Sequence, residues 1–204
     1  MKAKVCTFHI AYEGFEDKIY RVAEVSNNYT VAQLGYLVLA TFDTLAYHAF
    51  NLEYNGLQFE LPMMIEEDFF PKDETIIDAT AVKLQNLQLA PGAELTMTYD
   101  FGCSQTFRIR LLEIADMELH TGRRYPRISE GQGRGILDDV SPEEFAELIE
   151  TTDRTGKSDY YIERFGHKTA WDYRRFDLKG ENILLKGEIS RIQDAYECLE
   201  YDDE

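Results

Sequence analysis

The dipeptide Asn55-Gly56 constrains the fold of this chain more than any other feature of its sequence. It lies between two short apolar runs, Ala49–Tyr54 and Leu57–Leu61. Asn-Gly between such runs is the strongest short-range signal for a β-hairpin, because its type I′ turn needs residues that tolerate a positive φ angle. Two antiparallel strands are therefore predicted here.

A second hairpin and a helix are predicted before this one. Val5–Tyr12 and Lys18–Val25 alternate apolar and polar residues and are rich in β-branched and aromatic types, with Glu13-Gly14 between them. Thr30 can cap a helix that should cover one face of the hairpin. The apolar positions of that helix recur at intervals of three and four: Val31, Leu34, Leu37, Val38 and Phe42.

A third hairpin is predicted at the centre of the sheet. Glu94–Phe101 and Gln105–Ile114 are its strands, and the segment before it, Ile76–Leu87, is interpreted as holding a short helix. In the turn, Asp100 is expected to accept backbone hydrogen bonds, Phe101 to pack, and Gly102 to adopt a positive φ angle. The order of hairpin, helix, hairpin and late strand resembles a β-grasp layout.

The C-terminal part is predicted to be mostly helical. Ser141-Pro-Glu-Glu144 is a capping box with proline at the first helical position, which predicts a helix from Pro142 to about Thr151. Helical spacing returns over Glu188–Leu199. We expect a single α+β domain over 1–204, with a β-grasp-like mixed sheet in 1–115, a Gly/Arg-rich loop in 116–140 and a helical region in 141–204.

The loop prediction depends on composition. Gly122–Asp139 holds four glycines, four arginines and one proline, too many for regular structure. Its arginines are candidates for an anion or partner site, or else they pair with neighbouring carboxylates: Arg123, Arg124, Arg127 and Arg134. A later stretch, 160–176, interleaves arginine with aromatic residues, which predicts core packing, with an interface as the alternative.

Charge narrows the choice of partners. The chain has 38 acidic against 21 basic residues, a formal charge of -17, which opposes approach to a phosphate backbone. Direct nucleic-acid binding is therefore disfavoured and a protein partner is expected. An acidic surface usually serves solubility, although mimicry of nucleic acid towards a basic protein would also produce it.

Cysteines and the chain ends indicate the compartment. The three cysteines lie far apart and form no metal-binding motif, which argues against disulfides and structural zinc. No signal peptide or membrane-spanning run is apparent, so a cytoplasmic protein with no membrane association is expected. No cofactor and no bound metal are expected.

One group of residues could nevertheless perform chemistry. Asp100, Asp138 and Asp139 could converge with His48 on a hard metal ion or a general acid/base site, because carboxylates and imidazole suit both roles. Against this, the histidines show no metal-binding spacing, and acidic pairs in loops are usually solvated. The four histidines are His9, His48, His120 and His167.

Short motifs in the same order along nearly the whole chain resemble those of the plasmid pRiA4b ORF-3-like family. Tyr99-Asp100-Phe101-Gly102, after the turn Leu89-Ala-Pro-Gly92, is similar to that family's Tyr-Asp-Phe-Gly-Asp strand end. Further similarities are Tyr125-Pro126 with Gly131, Gly133 and Asp138-Asp139; Phe176-Asp177 with Asn182; and His48 with Phe50.

The departures from the family pattern bear on function. Cys103, Gln105 and Phe107 stand where the family has Asp, Trp and His, and Ile136-Leu137 replaces Pro-Pro. The resemblance implies a fold and an association with mobile elements, but no established reaction. No resolvase or recombinase pattern is present.

Three hypotheses about function follow. The preferred one is a non-enzymatic binding or regulatory protein. The first alternative is a metal-assisted or acid/base enzyme that uses the loop carboxylates with His48. The second is an acidic decoy of nucleic acid that binds a basic protein.

Overall fold

The computed structural model describes residues 3–65, 76–118, 124–156 and 171–197, in which one mixed sheet carries the architecture. Its spatial order is β5-β4-β3-β6-β7-β1-β2-β8, and β4 and β5 are its one parallel pair of neighbours. The strands are β1 (Lys4–Tyr12), β2 (Tyr20–Ser26), β3 (Phe50–Tyr54), β4 (Leu57–Glu60), β5 (Ile76–Asp78), β6 (Glu94–Tyr99), β7 (Gln105–Asp116) and β8 (Arg127–Gln132).

The sheet confirms the predicted α+β class and the three hairpins. β3 and β4 meet at Asn55-Gly56, whose φ angles are 50° and 76°, as a type I′ turn requires. β6 and β7 lie at the centre of the sheet. The segment Ile76–Leu87, interpreted as holding a short helix, holds one 3-10 turn, Leu84–Asn86, and also the edge strand β5, which was not predicted.

The helices follow their local capping signals. Thr30 with Gln33, and Ser141 with Glu144, form complete capping boxes, and these fix where α1 and α3 begin. The last helix begins at Leu178, well before the predicted start at Glu188. The prediction missed its first part because Gly180 and Gly187 weaken the helical pattern of the sequence there, although they do not end the helix. The helices are α1 (Val31–Thr41), the short α2 (Pro62–Ile65), α3 (Pro142–Thr155) and α4 (Leu178–Glu197).

The prediction of a loop over 116–140 is partly wrong, because strand β8 lies within this range and pairs with β2. The glycines of this segment allow neighbouring parts of the chain to pack closely. A Cβ atom at Gly131 would lie 2.6 Å from Cζ of Phe176, and one at Gly135 would lie 2.2 Å from the carbonyl oxygen of Phe42. Glycine therefore lets neighbouring chain segments approach, a reason that composition alone cannot distinguish from loop formation.

The predicted packing of the later aromatic stretch is confirmed for the residues that the structure describes. Trp171 and Tyr173 are buried in the main core, and Trp171 packs edge-to-face against Phe145 of α3, with ring centroids 5.5 Å apart. The other aromatic group, 160–166, lies outside the described residues. Among the described helices, none combines the length and apolar character needed to span a membrane.

Candidate functional site

Three candidate residues meet at one end of the neighbouring inner strands β3 and β6: His48, Asp100 and Asp139. His48 lies two residues before β3, and Asp100 directly follows β6. These strands are antiparallel neighbours with Phe50 opposite Tyr99, so the start of one lies beside the end of the other. Asp139 reaches this end of the two strands from the segment that joins β8 to α3.

The three side chains are close enough to share one ion. Nε2 of His48 lies 2.9 Å from Oδ1 of Asp139 and 3.4 Å from Oδ2 of Asp100. One potential ligand atom from each residue falls within 4.8 Å of the others. Residues far apart in sequence thus present one imidazole nitrogen and two carboxylate oxygens to a common point.

The Asp100 carboxylate has two different environments. Its Oδ1 accepts the backbone N–H groups of Gly102 and Cys103, at 3.2 and 3.3 Å, as the sequence predicted. Its Oδ2 is buried and makes no hydrogen bond to any described residue, although it faces His48 at 3.4 Å. Asp100 is only 5% exposed, so this oxygen is both desolvated and directed into the cluster.

Two expectations for this turn were wrong. Gly102 does not adopt a positive φ angle; Asp100 and Ser104 do, at 53° and 56°. Aspartate tolerates this conformation because its short side chain can bond to the backbone of its own turn. Phe101 does not pack either, since it is 45% exposed.

Asp138 lies beside the cluster but directs its carboxylate elsewhere. Its two oxygens accept the Tyr99 hydroxyl at 2.5 Å and the backbone N–H of Leu45 at 2.9 Å. Burial raises the pKa of Asp138, and these two hydrogen bonds oppose the rise. Its position suits it to hold the segment that carries Asp139 against β6.

Two tyrosines that sequence reasoning missed complete the surroundings. Tyr47 donates its hydroxyl to Oδ2 of Asp139 at 2.5 Å. Tyr196 of α4 donates its hydroxyl to the backbone carbonyl of His48 at 2.5 Å. Tyr47 could have been suspected as the neighbour of a candidate histidine, whereas no local signal joins Tyr196 to a residue so distant in sequence.

The thiol of Cys103 is next to the cluster but is not activated. Burial first, and then the neighbouring Asp100 carboxylate, raise the pKa of Cys103 to about 11. The thiol is therefore protonated at neutral pH and is a weak nucleophile.

The candidate arginines are not brought together in the described part of the chain. Arg127 donates two hydrogen bonds to Glu24 at 2.8 and 2.7 Å. Arg134, past the other end of β8, donates to Asp43 at 2.8 Å. Arg124 is exposed, and Arg123 lies outside the described residues. For Arg127 and Arg134 the predicted alternative, pairing with nearby carboxylates, is therefore the one observed.

Comparisons with known proteins show a similar fold and a family. The crystal structure of a protein of unknown function from Methanosarcina mazei Go1, MM3350, superposes with a TM-score of 0.71 and 21% sequence identity. The superposition covers 88% of this chain and 97% of that one. A comparison with curated proteins gives no match. The family model described as plasmid pRiA4b ORF-3-like protein matches residues 4–180. The chain therefore belongs to the plasmid pRiA4b ORF-3-like family.

Proposed function

We propose that this protein binds a divalent transition-metal ion through Nε2 of His48 and carboxylate oxygens of Asp100 and Asp139. The observation that carries the proposal is Oδ2 of Asp100, which is buried, accepts no hydrogen bond from any residue that the structure describes, and lies 3.4 Å from Nε2 of His48. A carboxylate oxygen in such a place is costly unless a cation or donor compensates it. A metal ion bound by all three side chains supplies that compensation.

The ligand types favour Zn²⁺ or Mn²⁺ over Mg²⁺. Imidazole nitrogen is a good ligand for zinc and other first-row metals, and carboxylate oxygens accept both zinc and manganese. Mg²⁺ prefers oxygen ligands and retains several waters. The geometry thus refines the preferred hypothesis of a binding protein by naming a metal ion as a ligand, contrary to the expectation of no metal.

Exposure of the cluster supports metal-assisted hydrolysis as a second candidate function. The side chains of His48 and Asp139 are 26% and 43% exposed, so an ion there would be open to solvent on one side. Three protein ligands leave coordination positions for water, and a bound metal lowers the pKa of that water towards neutrality. The acidic-decoy hypothesis gains no support from this cluster and stays a prediction from charge.

Replacing His48 with alanine is expected to weaken Mn²⁺ binding on the order of 100-fold or more, because losing even a residue that supports a metal ligand costs about 10- to 100-fold. Isothermal titration calorimetry with MnCl₂ measures this. Mn²⁺ is the better probe in solution because the free thiol of Cys103, next to the cluster, would compete for Zn²⁺ more than for Mn²⁺.

His9→Ala is the matched control for that titration. His9 lies on β1 and stacks on Tyr20, with ring centroids 5.2 Å apart, and it takes no part in the cluster. The control should bind Mn²⁺ like the unmodified protein. Absence of binding to the unmodified protein, or equal losses in the two variants, would contradict the proposed site.

A further inference from the structure

A cleft of about 550 Å³ opens between the end of α1 and the start of α4, and none of its lining residues belongs to the metal-ligand cluster. Its charged and aromatic lining comprises Asp43, Arg134, Arg175, Phe176, Asp177 and Glu181. A second cleft of about 370 Å³ continues along α4 and shares Ala40, Asp43 and Glu181 with the first. Glu181 therefore lies where the two clefts meet.

Most charged groups around these clefts already have partners. Arg134 donates to Asp43 at 2.8 Å, and Arg191 donates to Glu188 at 2.9 Å. Asp177 accepts the backbone N–H of Lys179 at 3.1 Å. The carboxylate of Glu181 has neither a hydrogen bond nor an ion pair within the described ranges, although the charges of Arg21, Asp43 and Asp177 act on it.

The buried cation whose charge acts on Glu181 is Arg21, and its own hydrogen bonds hold it in place. Arg21 is fully buried, and its guanidinium donates to the carbonyl oxygens of Tyr20, Gln132 and Arg134 at 2.9, 2.8 and 2.9 Å. The same group stacks on Phe176, 4.3 Å from the ring centroid. These contacts hold Arg21 beneath the cleft, so the Glu181 carboxylate remains available to a ligand.

We propose that the cleft binds an organic cation, a guanidinium or primary ammonium group on a short aliphatic chain, and that Glu181 receives its charge. The cleft volume is within the range of small-molecule sites. Carboxylates bind guanidinium groups through two parallel hydrogen bonds. Ala40 of the first cleft and Leu184 and Leu185 of the second provide apolar surface for the aliphatic chain.

This proposal implies a specific dependence on pH. Burial raises the pKa of Glu181 to about 7; Asp43 and Asp177 add to the rise, whereas Arg21 opposes it. Arg134 and Arg175 also line the cleft and stay cationic throughout. Because only the ionised carboxylate attracts a cation, affinity should increase as pH rises through 7, by about tenfold between pH 6 and pH 8.

Calorimetric titration of the whole protein with agmatine at pH 6, 7 and 8 tests the inference. EDTA in the buffer keeps the result independent of metal binding at His48. We expect agmatine to bind about tenfold more tightly at pH 8 than at pH 6. N-butylurea, a neutral molecule of similar shape, should not bind. An acetylated, amidated tripeptide with a central arginine distinguishes a free small molecule from the side chain of a partner protein.

Two variants complete the test. Glu181→Gln preserves the shape of the side chain and should lose at least about tenfold in affinity together with the pH dependence. Glu147→Gln, which changes an exposed carboxylate of α3 that lines neither cleft, should bind normally. Binding of agmatine or of the peptide in this pattern supports the proposal. Failure of both to bind, or unchanged binding in Glu181→Gln, overturns it; if that variant does not fold, the pH series on the unmodified protein decides.

Discussion

Asp100→Asn is expected to abolish the stabilisation by Mn²⁺ while leaving the metal-free protein as stable as before, or more stable. At a free ion concentration 100 times the dissociation constant, the unmodified protein should gain about 2.7 kcal/mol in free energy of unfolding. The variant should gain nothing measurable. Thermal unfolding with EDTA and with MnCl₂ gives both quantities.

The expected stability of the metal-free variant follows from the two environments of the Asp100 carboxylate. The asparagine Oδ1 can still accept the N–H groups of Gly102 and Cys103 that now bond to Asp100. Asparagine also tolerates the φ angle of 53° at this position. The substitution removes a buried negative charge from beside Asp139, so a repulsion is lost together with the metal ligand.

Asp78→Asn is the matched control for that comparison. Asp78 also accepts the N–H group two residues ahead, that of Thr80 at 2.7 Å, but it is not part of the cluster. The control should keep the full response to Mn²⁺. A normal Mn²⁺ response in Asp100→Asn would show that the ion binds elsewhere.

Trp171→Ala is expected to lower the free energy of unfolding by about 3–5 kcal/mol, the usual cost of truncating a large buried aromatic residue to alanine. Trp171 has 0% exposure, and its ring packs edge-to-face on Phe145 of α3. The truncation leaves a cavity between α3 and the segment that leads into α4.

Trp171→Phe should cost much less than the alanine variant. Phenylalanine keeps most of the apolar ring, and it removes an indole N–H that is buried without an acceptor in the described part of the chain. Urea denaturation followed by far-UV circular dichroism compares the variants. Tryptophan fluorescence cannot be used, because Trp171 is the only tryptophan and both variants lack it. A loss below about 1 kcal/mol in Trp171→Ala would contradict the packing described.

Features fixed by short-range interactions could be predicted from the sequence. Asn55-Gly56 specifies its own turn, and Thr30 and Ser141 each form a capping box with a residue three positions ahead. Such interactions depend on neighbours in the sequence, so their patterns can be recognised without the fold.

Features that depend on distant partners could not be predicted. Gly131 of β8 admits Phe176, and Gly135, just beyond the strand, admits the backbone of Phe42. Nothing near either glycine in the sequence indicates these contacts. Similarly, Arg127 meets its partner Glu24 only because β8 pairs with β2. The composition of 116–140 therefore favoured a loop although part of it is an edge strand.

The residues of the candidate site could be predicted from the sequence, but the arrangement of their side chains could not. His48, Asp100 and Asp139 were named as ligand types, and the pairing of β3 with β6 explains why two of them meet. Asp138 seemed equivalent to Asp139, yet its carboxylate bonds to Tyr99. The side-chain directions of adjacent residues in an irregular segment depend on contacts that the sequence does not encode locally.

A crystal structure of the protein grown with Zn²⁺, with diffraction measured at the zinc absorption edge, tests the proposed metal site most directly. The proposal predicts one strong anomalous peak about 2.0–2.2 Å from Nε2 of His48 and from a carboxylate oxygen of each of Asp100 and Asp139. No peak at this position, or a peak only at cysteine sulfur, would contradict it.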